Sequence, residues 1–561
     1  MTSPMMVPVT SAVTWAVSSA TSDATSDHAV RAGVLAACAV ATALGGLRWL
    51  RVAQREHYVV DAASRFALRW WAGSALNAAG LVIALAGLVL AWRWPATAFA
   101  TAALVALGPL GLSPKGRTAA LAWTRRLRTL AAIWAAIEGG AVIGGVLTGV
   151  GPVVAAAAAL GVPALVDLAG AVTAPLERRL ARAHVARAAA RLRRVGPAVV
   201  AITGSYGKTS TKGYVAHLVR GTRSVVASPA SFNNRAGLAR AVNEHLADAT
   251  QVFVAEMGTY GRGEIAEMTS WIRPDIAAIT AVGPVHLERF GSEDRILEAK
   301  AEILEGSPVA VLVTDDARLA SLADVHAARG TRVWRVSARD RAADVCVLAG
   351  DDGLTVLAHG AMLTSHVAVD ARAQNLAVAV AVALELGVAP EDIARRLPTL
   401  PGAPHRLEAS TAPSGCAVLD DTYNSNPAGS RVALEALARL GDPAGRRVVV
   451  TPGMVELGRL QAAENARFAR DAASVASHVV IVGQTNRRAL VQGVRDAGEA
   501  APNAGSSSGP NTATDASPNG AVRRPEVISV RTREQATAWV RDHLGAGDAV
   551  LYENDLPDHY P

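Results

Sequence analysis

Apolar residues are arranged in two different ways along this 561-residue chain. Up to about residue 172 they form long runs, at about 32–47, 71–92, 95–112, 130–147 and 153–172. Each run reads as an apolar helix. A bilayer-spanning helix needs about 20 apolar residues, so the first and third runs are short for that task. From about residue 196 the apolar stretches are short, rich in β-branched residues, and alternate with helix-like segments. Residues 198–203, 250–256, 276–282 and 417–421 read as strands, and 211–219 and 296–304 as helices. Alternation of this kind predicts an α/β fold, a parallel sheet with helices on both faces.

Charge sharpens the first half. The connections after the first, third and fifth runs are basic (Arg48 to Arg69, Lys115 to Arg128, Arg178 to Arg194), whereas the two between them hold only Arg93 or no charge. Basic segments alternating with neutral ones follow the positive-inside rule. Eight of the eleven tryptophans precede residue 135, and Trp70, Trp71, Trp92 and Trp94 bracket the second run as interfacial anchors would. The expectation is a multi-pass cell-membrane protein with five spans over 32–175. Its N-terminus (1–31, flexible, without a signal-peptide pattern) lies outside and everything after 173 is cytoplasmic. Residues 176–195 are Arg- and Ala-rich and predict a basic amphipathic helix on the anionic inner leaflet. Glu138 and Asp167 fall inside apolar runs and are candidates for an intramembrane role, against pairing or snorkelling as the plainer readings. The net charge of +7 is thus a matter of topology rather than of nucleic-acid binding. The three cysteines, Cys38, Cys346 and Cys416, lie far apart and suggest neither a metal site nor a disulfide framework.

The chemistry centres on Gly204-Ser205-Tyr206-Gly207-Lys208-Thr209-Ser210, between the 198–203 strand and the 211–219 helix. A glycine loop opening a helix presents backbone N–H groups and the positive helix end to a phosphate. Lys208 suits the β- and γ-phosphates of ATP, and the Thr209 hydroxyl suits Mg²⁺. The pattern is a variant, because Ile202 stands where the common loop has its first glycine. Glu256 ends a strand, where ligands of open α/β sheets bind, and can hold Mg²⁺. His286 follows the next strand. Lys300 lies on the 296–304 helix, and its spacing alone leaves a solvated lysine open.

These residues together resemble a known family. Thr203–Ser210, Glu256-Met257-Gly258, Arg273-Pro274, His286-Leu287-Glu288 and Glu298–Ile303 are similar, in order, to the central domain of the Mur ligases, most of all to the MurF type, which adds D-Ala-D-Ala to a UDP-MurNAc-tripeptide. The resemblance implies that Lys208 and the loop bind ATP, and that Thr209 and Glu256 hold one Mg²⁺. It implies that His286 and Lys300 hold a second, with Lys300 carbamylated into an anionic ligand. It also places Asn375 near adenine and, more weakly, Asn233-Asn234 near the substrate. Beyond a Pro/Gly linker, Arg406 and Asp421 match the pair that closes over ATP. Tyr423, Asn424 and Asn426 match a MurF-type stretch, and Thr451 to Gly458 match the following strand and loop. The expected division is a central ATP-binding domain over 196–400 and a Rossmann-like C-terminal domain over 401–561, with a disordered insert at about 500–525.

The implied reaction is ATP-dependent amide formation. A carboxylate, on a muramyl peptide or another acid, is activated as an acyl phosphate and captured by an amino acid or dipeptide amine. Two departures from the MurF pattern bear on the acceptor. Apolar runs stand in place of the UDP-binding domain, and the chain carries Tyr552 to Pro561 where the MurF type usually has a Lys-Gly-Ser-Arg turn. One alternative is a membrane-tethered ligase on a lipid-linked or polymeric acceptor, like the poly-γ-glutamate synthetases. From another class, an ATP-driven transporter or sensor would leave Glu256, His286 and Lys300 unexplained.

Overall fold

The computed structural model describes residues 9–56, 58–112, 121–229, 232–350, 352–367, 371–401, 407–422, 425–500 and 525–554, with side chains from residue 28 to 498 and from 525 within those ranges. It divides into two compact units, Met1–Leu180 with Pro557–Pro561, and Ala181–Leu556.

The first unit is helical. Its first helix, Val9–Arg55, already covers most of the stretch expected to be flexible. Among the described residues two segments, His28–Arg55 and Arg125–Leu147, are long and apolar enough to cross a membrane. The number rises to four at most, if the bent pairs Ala62–Ala72 with Ala75–Leu90 and Gly151–Leu160 with Val162–Val195 each form one span. By length and composition the described helices thus supply two to four of the five expected crossings. The 95–112 run folds into a 3-10 turn, Pro95–Thr97, and the α-helix Ala98–Leu107 of ten residues. At 1.5 Å per residue that is about 15 Å, half of a bilayer core of about 30 Å. Apolar side chains face outward here, with Leu147 82%, Val89 73% and Trp92 72% exposed, while Trp49, Phe66, Leu127 and Trp134 fill the interior.

Two charged side chains of this unit, Arg48 and Asp167, close helix ends. The Arg48 guanidinium donates to the carbonyls of Val105 (2.9 Å), Ala106 (2.5 Å) and Gly108 (2.8 Å), the orphan acceptors ending Ala98–Leu107. Asp167 accepts from the Ala63 and Ser64 amides at 3.2 and 2.8 Å and from the Ser64 hydroxyl at 2.5 Å, at the start of Ala62–Ala72. Asp167 thus acts as a cap for that helix. Glu138 accepts from Thr42 Oγ1 at 2.7 Å.

Residues 181–195, the end of the helix Val162–Val195, belong to the second unit. Val185, Ala188 and Leu192 are buried in its core, and Arg191 donates to the Leu246 carbonyl at 2.5 Å. The apolar face expected to lie on lipid is here covered by protein.

The second unit holds two sheets. The first contains β1 (Ala198–Thr203), β2 (Val225–Ala227), β3 (Val252–Glu256), β4 (Ile276–Ile279), β5 (Val309–Val313), β6 (Arg332–Ser337), β7 (Val345–Gly350), β8 (Gly353–Ala358) and β9 (Ala361–Val367). Their order is β2-β3-β1-β4-β5-β6-β7-β8-β9. Pairing is parallel from β2 to β7 and antiparallel across β8 and β9. The purely parallel expectation misses that antiparallel edge. Strands β3 and β5 are buried throughout, as a sheet covered on both faces requires. The apolar helix Ala373–Glu385 is part of this core, with Asn375 to Ala383 all buried.

The second sheet contains β10 (Glu408–Thr411), β11 (Ala417–Asp421), β12 (Arg447–Thr451), β13 (His478–Val482), β14 (Glu526–Val530) and β15 (Ala549–Glu553), in the order β10-β11-β15-β12-β13-β14. Only β10 runs antiparallel. Helices Pro427–Arg439 and Gln461–Val475 cover one face and Arg533–His543 the other, the doubly wound arrangement expected. The expected insert at 500–525 lies almost wholly outside the described residues.

Candidate functional site

The phosphate loop is built from three neighbours. β1 delivers the chain to Gly204, and the helix Lys208–Val219 begins at its far end. The strand β4 lies beside β1, and the residues after it hold the loop in shape. The Ser205 amide donates to the Ala281 carbonyl at 2.7 Å. The Ser205 hydroxyl donates to the Gly283 carbonyl and accepts from the Gly283 amide, both at 3.0 Å. The Thr280 hydroxyl bonds the Tyr206 carbonyl. Gly207 has φ 81°, and a Cβ there would meet Asn375 Oδ1 at 2.1 Å. Only glycine fits both the backbone and the space. Asn375, expected near a base, is therefore packed against the phosphate loop itself. Lys208 Nζ donates to the Gly204 carbonyl at 2.6 Å, folded over its own loop. Burial, reinforced by the charges of Glu293 and Glu464, holds the Tyr206 phenol above its ordinary range.

Glu256 ends β3 in register with Ile202 of β1. Thr209 Oγ1 lies 3.1 and 3.2 Å from its two carboxylate oxygens, so the structure joins these two expected Mg²⁺ ligands. Asn233 Nδ2 donates to the same carboxylate at 3.3 Å. Lys212 Nζ donates to it at 2.9 Å, with both side chains buried. Burial alone would raise the Glu256 carboxyl; the Lys212 and Lys208 ammonium groups, with hydrogen bonds from Lys212 and Asn233, hold it below its ordinary value.

Lys300 is buried, and no carboxylate pairs with it among the described residues. Burial first, and the nearby Lys208 charge second, push its ammonium well below the usual lysine range. His286 Nδ1 bonds Glu456 Oε2, and its ring meets Tyr260 edge-on at 4.6 Å. Among the described residues no three His, Cys, Asp or Glu side chains converge as a metal cage. The fit to divalent cations therefore differs across the site. Thr209 and Glu256 make an oxygen pair suited to Mg²⁺. His286 and Lys300 suit a cation only if Lys300 carries an anionic group.

Arg406, Tyr423 and Asn424 lie outside the described residues. Asp421 ends β11 in register with Glu553 of β15. Glu553 is fully buried, bonded by the hydroxyls of Ser425 and Thr451 (3.3 Å to the latter). Burial, with the Asp421 charge added, pushes its carboxyl up to about 8. Asn426 caps the following helix through the Gly429 amide at 2.8 Å. Asp315, after β5, accepts from Ser337 Oγ (2.5 Å), the Ala338 amide (2.9 Å) and Gln374 Nε2 (3.0 Å).

Sequence reasoning missed Lys212, Glu456, Asp315 and Glu553 as site neighbours. Asp315 and Glu553 carried the same signal as Glu256, an acid just past or at a strand end. Lys212 is four residues after Lys208, hence on a neighbouring helical turn. Glu456 lies within the matched Thr451–Gly458 stretch, but nothing in that stretch marks it as a partner of His286.

Residues 202–383 match the Mur ligase middle domain, and residues 405–552 match the Mur ligase glutamate ligase domain. The UDP-N-acetylmuramoyl-tripeptide–D-alanyl-D-alanine ligase of Mycobacterium tuberculosis is 33% identical over 391 residues, covering 65% of this chain and 71% of that protein. The enzyme of the same name from Bacillus subtilis is 30% identical over 280 residues, covering 49% and 60%. Among solved structures, MurF from Acinetobacter baumannii superposes with a TM-score of 0.52 at 25% identity, over 67% of this chain and 77% of that one. MurF from Thermotoga maritima, solved with ADP, shares the fold at a TM-score of 0.53 and 23% identity, over 67% and 80%. With both domains matched in order and a curated relative covered over most of its length, the chain belongs to the Mur ligase family, ATP-dependent enzymes that form amide bonds.

Proposed function

We propose that this chain is a MurF-like ligase that joins D-Ala-D-Ala to the tripeptide of a muramyl precursor at the cytoplasmic face of a membrane. The observation that carries the chemistry is the phosphate loop with Thr209 Oγ1 within 3.2 Å of the Glu256 carboxylate. The acceptor and the amine come from the printed names of the relatives. The membrane placement rests on the outward-facing apolar helices of the first unit.

In the first step a substrate carboxylate oxygen attacks the γ-phosphorus of ATP. The bond to the β,γ-bridging oxygen breaks, and an acyl phosphate and ADP form. Lys208 and the loop amides hold the phosphates and offset the charge that gathers in transfer. Thr209 and Glu256, and His286 with a carbamylated Lys300, would hold Mg²⁺, which supplies further charge neutralisation. Carbamylation needs a neutral amine, the form that burial and the nearby Lys208 charge favour at Lys300. In the second step the dipeptide amine, having lost its ammonium proton, attacks the acyl carbon. The C–N bond forms and inorganic phosphate leaves. By the family resemblance, Asp421 and Arg406 would close over the nucleotide.

A second acceptor is favoured by one observation: residues 1–201 precede both family matches and hold the apolar helices. The same reaction could then take a lipid-linked muramyl peptide. The test uses the full chain in detergent, since cutting at residue 196 would remove Val185, Ala188 and Leu192 from the core. It is incubated with ATP, D-Ala-D-Ala and either UDP-MurNAc-tripeptide or its lipid-linked counterpart. A pentapeptide product with ADP release from the first supports the main reading. Product from the lipid-linked form alone supports the second, and no amide from either sinks both.

A further inference from the structure

Two side chains that follow strands of different sheets meet, and both stand in unusual backbone. His286 follows β4 in the first sheet and has φ 57°. Glu456 follows β12 in the second and has φ 62°. A residue with a side chain pays about 1–3 kcal/mol for such conformations, which persist where surrounding structure enforces them and cluster at functional sites. Here the enforcing contacts lie between the same two segments. The Glu288 amide donates to the Glu456 carbonyl at 3.2 Å. Gly458, two residues on, also has a left-handed backbone with φ 55° and packs against the same turn, beside the Glu288 nitrogen. The carboxylate of Glu456 bonds His286 Nδ1. Tyr260 blocks one side of the imidazole, its ring centroid 4.6 Å away, and the Arg289 guanidinium stacks over Tyr260 at 4.9 Å.

We propose that Glu456 is the positioning residue for His286. It holds the imidazole by Nδ1, keeps Nε2 as the nitrogen available to a divalent cation, and so makes cation binding depend on docking of the C-terminal domain. This rests on the reading of His286 as a cation ligand given above. A histidine that binds a metal through one ring nitrogen is oriented and made more basic by a carboxylate at the other, and loss of such a partner weakens metal binding about 10–100-fold. What is particular to this chain is the origin of the carboxylate. It comes from the other sheet, so an undocked C-terminal domain would leave His286 unheld and the cation weakly bound. Nucleotide, cation and domain closure would then assemble together.

The test measures Mn²⁺ binding by electron paramagnetic resonance, with a non-hydrolysable ATP analogue, in the full-length chain and in Glu456→Ala and Glu456→Gln. A fluorescent nucleotide in EDTA checks that each variant still binds nucleotide without cation. Glu456→Ala is expected to weaken Mn²⁺ binding about tenfold or more. Glu456→Gln, whose amide oxygen still accepts from Nδ1–H, is expected to keep most of the affinity, and it decides the matter if the alanine variant does not fold. Wild-type Mn²⁺ affinity in Glu456→Ala, or equal loss in both variants, overturns the proposal. A wild-type chain that binds no Mn²⁺ defeats the cation reading of His286 itself. A chain that binds Mn²⁺ normally but makes no amide defeats the proposed reaction and leaves this inference standing.

Discussion

Lys212 Nζ lies 2.9 Å from a carboxylate oxygen of Glu256, and both side chains are buried beneath the phosphate loop. The pair matters because Glu256 also faces Thr209 and Lys208. Without Lys212 the carboxylate would stay buried with less to compensate it. Removing one partner of a buried pair costs about 3–5 kcal/mol. Lys212→Met should therefore lower stability by about 3 kcal/mol in urea unfolding, near the low end because Lys208 and Asn233 remain. Its loss should also let burial raise the Glu256 carboxyl, so the acid limb of the pH–rate profile moves to higher pH. A variant with unchanged stability and an unchanged acid limb would show that the ion pair is incidental.

Gly207 and Asn375 give a test of the loop's shape. An alanine at 207 suffers both from φ 81° and from the Asn375 oxygen, 2.1 Å from its Cβ. The backbone alone costs about 1–3 kcal/mol, which corresponds to a loss of roughly 5- to 150-fold in nucleotide affinity if it falls on the bound shape. Gly207→Ala should bind an ATP analogue at least tenfold more weakly by calorimetry. Adding Asn375→Ala removes the clash and leaves the strain. The double variant should recover part of the loss, and no recovery would mean that Asn375 does not press on the loop.

How much of this was legible beforehand follows from which signals are local. The strand at 198–203, its glycine loop and the strand at 417–421 were readable because a buried parallel strand is a short apolar run and a phosphate loop is a contiguous motif. Lys208 and Thr209 open the helix that follows β1, and Glu256 ends β3, the parallel neighbour of β1, so topology alone brings them together. The contact between His286 and Glu456 spans 170 residues and two sheets, and no local pattern encodes it. The 95–112 run misled because hydropathy counts apolar residues without registering where a helix ends, here at Leu107 before Gly108-Pro109. The basic helix at 176–195 misled for a related reason. Amphipathicity predicts a buried face but not what buries it, and here protein core covers residues that lipid could have covered.

Glu553 makes stability of the C-terminal domain depend on pH. Its carboxyl is pushed up to about 8 in the folded chain, against about 4.3 when unfolded. The folded state therefore binds the proton more tightly. The stabilising effect is full below about 4.3 and is lost as pH rises through about 8. Glu553→Gln cannot ionise and should melt higher than the wild type at pH 8, with the difference shrinking toward pH 5. Parallel melting curves across that range would refute the assignment.

Lys300 runs the other way and links stability to activity. An unfolded lysine holds its proton up to about pH 10.4. In the folded chain burial and Lys208 favour the neutral amine. Between the folded value and 10.4 the unfolded state binds more protons, so stability falls as pH falls through that window. Lys300→Met, which has no ammonium to bury, should be more stable than the wild type at pH 7 in urea unfolding without CO₂, by a margin that shrinks toward pH 10. The same substitution should abolish ligation if a carbamate on Lys300 serves the cation. Bicarbonate should then raise the activity of CO₂-depleted wild type and leave Lys300→Met inactive. A variant that is both stabilised and fully active would show that Lys300 is a buried liability without a part in the reaction.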